Sequence, residues 1–162
     1  MSMETKYNTR YKDCPDKQSF THGLDYQDFI KLQFQKYFEI EINYYTEAID
    51  QFNKGESIQG IEVKLDTRFR ETGRLSIEIA EKSNADIAGW TPSGIYRSDN
   101  TWLYVQGDYQ IIYIFAKTLL KGLYKCKKYT EAESHGTVRK FYLPLKDADK
   151  YCAKRIDING DN

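Results

Sequence analysis

The stretch Ile61-Glu62-Val63-Lys64-Leu65-Asp66 and, after Glu71-Thr72-Gly73-Arg74, the run Leu75-Ser76-Ile77-Glu78-Ile79-Ala80-Glu81-Lys82 decide how this chain is read. Side chains alternate across a strand with a period of two. In the first run the odd positions are apolar, and Glu62, Lys64 and Asp66 share the other face. In the second, Leu75, Ile77 and Ile79 share one face and Ser76, Glu78, Ala80 and Lys82 the other. Two such runs around a short glycine-containing turn predict an antiparallel hairpin. With the turn centred on Thr72, Asp66 stands opposite Glu78, Lys64 opposite Ala80 and Glu62 opposite Lys82, with Cβ atoms about 4.5–5.5 Å apart. Opposed carboxylates repel unless one keeps its proton or a cation lies between them. A divalent ion held by Asp66 and Glu78 resolves the conflict, because Mg²⁺ takes oxygen ligands and retains waters. Lys64 would lie beside the ion, with the small Ala80 leaving it space. The same pattern also describes a solvated hairpin face on which Glu62, Lys64 and Lys82 make ion pairs of small value, and a bulge would shift every pairing.

Working outward, Phe29, Ile30, Leu32, Phe34 and Tyr37 predict a helix over 25–37 with Asp25 as its cap. Alternation over 38–45 predicts a strand, and Asn53-Lys54-Gly55-Glu56 a turn. Strands are expected at 102–106 and 109–115, joined at Gly107-Asp108. A helix is expected over 116–126, a strand over 138–143 and a short helix over 147–155. The expected fold class is α/β (α+β), helices covering a mixed sheet. No repeat or low-complexity run interrupts 1–162, so a single domain is expected, with a polar segment 1–20 and a tail 156–162.

Lys plus Arg equals Asp plus Glu, at 24 each, which argues against a protein coated in positive charge for non-specific nucleic-acid binding. The zero is a cancellation. Residues 1–60 carry 7 basic and 10 acidic side chains, 61–110 carry 6 and 8, and 111–162 carry 11 and 6, so the last third is at +5. Lys117, Lys121 and Lys125 form a helical stripe within it, with Lys127 and Lys128 adjoining; it suits phosphate contact and equally an ordinary solvated face. Three cysteines without a C-x-x-C pair and only two histidines leave zinc and triad chemistry poorly supplied. No run is long and apolar enough for a membrane span, and a soluble intracellular protein is expected. Glu56 and Asp50 are alternative ligands that read first as surface carboxylates near the turn, and Glu81 as a strand-end charge. Trp102, Tyr104, Tyr109 and Tyr113 suit base stacking, although alternating aromatics are more often core. The tail 157–161 begins like a calcium loop but lacks its later glycine and glutamate.

At Gly60-Ile61-Glu62-Val63-Lys64-Leu65-Asp66, Glu71-Thr72-Gly73-Arg74-Leu75-Ser76-Ile77-Glu78 and Ser93-Gly94-Ile95 the chain resembles phage and bacterial members of the PD-(D/E)XK nuclease superfamily, the restriction-endonuclease-like fold that includes Holliday-junction resolvases. The match spans 60–96. The resemblance implies a metal-dependent phosphodiesterase, with Asp66 as the acid ending the second core strand and Glu78 as the acid of the (D/E)XK element. Leu65 replaces the proline, and Ala80 the lysine two residues after the glutamate. Lys64, by the pairing above, or Lys82 would then supply the amine. Asp66 and Glu78, with Glu62 as an auxiliary, would hold Mg²⁺ or Mn²⁺; Arg68, Arg70 and Arg74 would contact DNA; Ser93 and Gly94 would shape a loop nearby. The resemblance further implies DNA recombination, repair or defence, a bacterial or phage-infected cytoplasm and a homodimer. The rival expectation is a silent module on this fold that binds DNA or a host protein, for example to block a defence enzyme.

Overall fold

The computed structural model describes residues 17–160, with side chains from residue 23 onward. The expected segment 1–20 therefore lies mostly outside the described residues, as do Cys14 and the last two residues of the tail. In chain order the elements are α1 (Lys17–Phe38), α2 (Ala48–Asn53), β1 (Ile61–Leu65), α3 (Phe69–Thr72), β2 (Arg74–Glu81), β3 (Thr91–Pro92), β4 (Leu103–Gly107), β5 (Ile111–Ala116), α4 (Lys117–Cys126), β6 (Glu131–Ser134), β7 (Val138–Pro144), α5 (Leu145–Tyr151) and β8 (Lys154–Asp157). A single 3₁₀ turn, Gly94–Tyr96, follows β3. The strands form two four-stranded sheets, in the orders β1-β4-β5-β8 and β3-β2-β7-β6. The first is mixed. Gly60 O accepts from Leu103 N–H and Gly107 O from Asp66 N–H, so β1 and β4 run parallel, whereas β5 and β8 pair antiparallel. Helices pack on both sheets, and the fold is α+β as expected.

By the proximity of its residues the chain groups into two compact units. The first comprises residues up to Leu65 with Asp99–Val105; the second comprises Asp66–Ser98 and Gln106 onward. In the first, α1 packs on β1 and buries Tyr26, Ile30 and Phe34 at four-residue spacing, beside Ile42, Ile61 and Val63. The helix begins well before residue 25, so Asp25 is not its cap but an exposed helical position. Leu32, expected on the buried face, is 68% exposed. The strand expected over 38–45 does not form. Glu39 adopts φ 55°, only Ile42 of the alternating residues is buried, and one isolated bridge, Tyr44 to Ser57, is all the pairing the segment makes. Alternation creates a strand only where a neighbour offers its backbone groups.

The second unit contradicts the expected hairpin. β2 pairs with β7, setting Leu75 against Leu143 and Ile77 against Phe141, all four fully buried. β1 sits in the other sheet. Consequently Asp66 is not paired with Glu78, Lys64 with Ala80, or Glu62 with Lys82; Ala80 pairs with Pro92 and Arg139 instead. The intervening residues are not a tight turn because Phe69, at 0% exposure, folds them into α3 and anchors them. Two long neighbouring strands, of eight and seven residues, burying four large side chains outweigh a local turn signal.

The β4–β5 connection at Gly107-Asp108 forms as expected. Asp108 is buried, and its Oδ1 accepts the N–H groups of Gln110 and Ile111 at 2.8 and 2.9 Å. Asp108→Ala strands both donors and is expected to cost about 2 kcal/mol, read as a lower urea midpoint at unchanged slope. The helix over 116–126 and the strand over 138–143 are present as α4 and β7. The expected helix 147–155 stops at Tyr151, because residues 154–157 are drawn out as β8 against β5. That pairing also takes up the start of the expected tail. β6, invisible as a pattern, pairs with β7. Among the described residues no helix is long and apolar enough to cross a membrane.

Candidate functional site

The second unit joins four polar side chains in two pairs, Asp66 with Gln106 and Glu78 with Ser93. Asp66, just past β1, holds its carboxylate with three N–H donors: Arg68 N reaches Oδ1 at 3.1 Å, while Ser76 N and Gln106 Nε2 reach Oδ2 at 3.1 and 3.0 Å. Gln106 also donates to Ser76 O at 2.8 Å, which ties β4 and β2 to the carboxylate. Two positions along β2 from Ser76, and on the same face, stands Glu78. Its Oε1 accepts from the hydroxyl of buried Ser93 at 2.6 Å. The expectation that Ser93 and Gly94 shape the surroundings of Glu78 is met: Gly94, at φ 53°, lies directly over the Glu78 backbone.

The amines are rearranged. The register runs Glu78 to Lys140 and then Ala80 to Arg139, a bulge at Ile79. Adjacent residues of β7 face opposite ways, so the bulge turns Ala80 and Lys82 away from the face that carries Glu78. Lys82 lies 4.4 Å from the Trp90 ring, which Arg139 also covers at 4.6 Å. The amine that register places beside Glu78 is instead Lys140, which sequence reasoning missed; only the β2–β7 pairing reveals it. Opposite Ser76 is Tyr142, whose ring carries Arg74 at 3.7 Å and Lys140 Nζ at 5.5 Å.

Of the three expected DNA-contacting arginines, Arg70 is committed to Asp108 at 2.5 Å and to Gln110 at 2.9 Å, Arg74 is stacked on Tyr142, and Arg68 has an exposed side chain. Lys117 breaks the expected lysine stripe. It is buried, and its Nζ donates to Arg97 O at 2.7 Å, whereas Lys125 is exposed. Tyr104 and Tyr113 are core; Trp102 and Tyr109 are exposed. Glu81 is exposed, as a strand-end charge should be.

Glu62 and Lys64 belong to the first unit. Glu62 is 4% exposed rather than on a wet face, pairs with Lys64 Nζ at 3.2 Å through Oε1, and leaves Oε2 buried without a partner. Glu62-Val63-Lys64 is itself an acid-x-lysine triplet, a spacing sought after Glu78 and present one strand earlier. Glu56, expected at the surface, instead accepts from Gln27 Nε2 at 2.7 Å and Val63 N at 3.2 Å. Burial, and then the neighbouring charge of Glu62, push its carboxyl up to about 8, against a smaller opposing pull from Lys64. Asp50 keeps its surface role, in an i,i+4 pair with Lys54 at 2.9 Å.

No family model, curated protein or solved structure matches this chain. Among the described residues no group of three His, Cys, Asp or Glu side chains converges to hold a metal ion. The oxygens of the second unit still suit a hard cation of modest ligand demand. Asp66 and Glu78 are carboxylates, and the Oε1 of Gln106 is a buried acceptor with no partner. Mg²⁺ is commonly bound by one or two carboxylates while keeping several waters.

Proposed function

We propose that this chain is a Mg²⁺- or Mn²⁺-dependent endonuclease acting on DNA, a PD-(D/E)XK-type enzyme with a restriction-endonuclease-like core, of phage or bacterial origin and working in the cytoplasm in recombination, repair or defence. The observation that carries the reading is the disposition of Asp66 and Glu78. Both are the residues of the resemblance, and both are oriented by donors within the second unit, Asp66 against Ser76 and Glu78 two positions further along the same strand face. Carboxylates held this way need no rearrangement to receive a cation, the preorganisation that phosphoryl chemistry rewards.

Asp66 and Glu78 would hold the ion. When bound, it supplies Lewis-acid stabilisation of the phosphate and acidifies a water. Lys140, across from Glu78, would neutralise charge developing on the phosphate, a role the sequence had assigned to Lys64 or Lys82. Arg74 on Tyr142 would grip the flanking backbone. Homodimerisation belongs to the same reading, since resolvase-like enzymes act on two strands.

The second reading, a silent module that binds DNA or a host protein, is favoured by one observation: the bulge at Ile79 removes both Ala80 and Lys82 from the face of Glu78. The test is incubation with branched, single-stranded and duplex DNA in Mg²⁺, Mn²⁺ or EDTA, beside Asp66→Asn, Glu78→Gln, Lys140→Met and Lys64→Met. Cleavage is expected to require the divalent ion and to fall at least tenfold in the first three variants. A larger loss for Lys64→Met than for Lys140→Met would return the amine to the first unit. Cleavage indifferent to Asp66 and Glu78 would overturn the site, and no cleavage of any substrate would favour the silent module.

A further inference from the structure

Gln106 is 3% exposed, and its amide orientation is determined by its neighbours. Nε2 faces two acceptors, Asp66 Oδ2 and Ser76 O, at 3.0 and 2.8 Å. Turning the amide over would set a carbonyl oxygen against both. The oxygen is therefore the atom left over, and it is buried with no hydrogen-bond partner. A buried acceptor left unsatisfied costs about 1–3 kcal/mol, and folded proteins keep few of them without a water, an ion or a functional reason.

What satisfies Oε1 must donate a hydrogen bond or carry positive charge. The two polar atoms of an amide are about 2.2 Å apart. With Nε2 hydrogen-bonded to Asp66 Oδ2, Oε1 lies within about 5 Å of that carboxylate oxygen. One hydrated divalent ion reaches both, since its ligand bonds are about 2.1 Å. We infer that Gln106 is a ligand residue for the cation of Asp66: its Oε1 coordinates the ion or accepts a hydrogen bond from a water of the ion's hydration shell, while its Nε2 fixes the carboxylate that holds the ion. The inference rests on the metal-dependent reading above and adds a neutral oxygen to a site otherwise composed of carboxylates. Gln106 thereby does two jobs with one amide, aiming Asp66 and completing the shell. Its place on β4, within Tyr104-Val105-Gln106-Gly107, explains why a polar residue interrupts a buried run there.

The test uses the full chain without DNA and Mn²⁺ as the probe, reading free Mn²⁺ by electron paramagnetic resonance and the Mn²⁺-induced rise in melting temperature. Asp66→Asn is expected to lose binding. Gln106→Met, which fills the space without polar atoms, should weaken Mn²⁺ about tenfold, the usual effect of removing a supporting group from a metal site. Gln106→Glu keeps an oxygen and loses the amide donor. It should lower the melting temperature of the metal-free protein yet bind Mn²⁺ at least as tightly as the parent. Equal weakening in the Met and Glu variants would mark Gln106 as a clamp only and overturn the inference. So would parental affinity in Gln106→Met when Asp66→Asn has lost it, and in that case the metal-dependent reading survives. Parental Mn²⁺ affinity in Asp66→Asn, or no binding by the parent, would instead remove the metal reading and this inference with it.

Discussion

Gly94→Ala is expected to lower the melting temperature by roughly 10 °C, the largest single-methyl effect in the second unit. Gly94 holds φ 53°, a left-handed conformation that costs an alanine about 1–2 kcal/mol. An added Cβ would also stand 2.1 Å from the Glu78 carbonyl oxygen and 2.8 Å from the Glu78 Cβ. β2 cannot retreat, because Ile77 and Leu75 are locked into β7, so overpacking adds about 1–3 kcal/mol. A total of about 3 kcal/mol corresponds to that temperature shift in a chain of this size. Gly122→Ala is the control: Gly122 sits inside α4 with nothing within 4 Å of its virtual Cβ, and alanine there should stabilise by up to about 1 kcal/mol through helix propensity. Thermal circular dichroism of the two variants reads both. Equal melting temperatures would mean that Gly94 does not press on Glu78. On the proposed nuclease reading, cleavage by Gly94→Ala below its own melting transition should also fall, because the clash falls on the residue that carries the carboxylate.

The second large effect is a pH dependence of unusual sign. Acidic groups that are ion-paired in the folded protein make it more stable as pH rises; Glu56 acts in the opposite direction. Burial and the charge of Glu62 raise its carboxyl from 4.5 to about 8 in the folded state. Between those two values the folded chain holds a proton that the unfolded chain has released, so stability falls as pH rises through the window. The contribution is complete below about pH 4.5 and gone above about pH 8. Glu56→Gln keeps the acceptor for Gln27 and Val63 and removes the titration. It should be more stable than the parent at pH 8 by on the order of 2–4 kcal/mol, with little difference at pH 4.5. Urea unfolding at pH 4.5, 6 and 8 for both proteins is the measurement. Parallel curves would show that Glu56 does not hold its proton in the folded chain.

Much of the local architecture was legible from residue order. The apolar spacing of Ile30 and Phe34, the alternation of Leu75, Ile77 and Ile79, and the Gly107-Asp108 turn are each decided by neighbours a few residues away, and each element formed. Asp66, Glu78 and Ser93 were legible as individual polar residues, because the resemblance lay in short contiguous motifs, but the strand pairing expected to set Asp66 against Glu78 did not form. Partner choice was not legible. Nothing in 61–82 records that β2 takes β7, far along the chain, rather than β1 beside it; that follows from matching Leu75 and Ile77 to Leu143 and Phe141, a sum over long-range contacts. The β2–β7 register set Lys140 across from Glu78, and the single residue of the Ile79 bulge then reversed the face of Lys82. Gln106 was hidden for the same reason, since a polar residue inside a strand has meaning only once its amide is seen between Asp66 and Ser76.

By itself, then, the order of residues determined most of the helical and extended segments and which side chains carry charge, because propensity and periodicity act within a turn or two of the backbone. Only the tertiary structure decided which carboxylates have donors, which residue pairs with Glu78 across the sheet and which glutamate has its carboxyl pushed up. Those depend on burial and on distances of a few ångströms between residues far apart in the chain, where Coulomb and desolvation energies change by kilocalories.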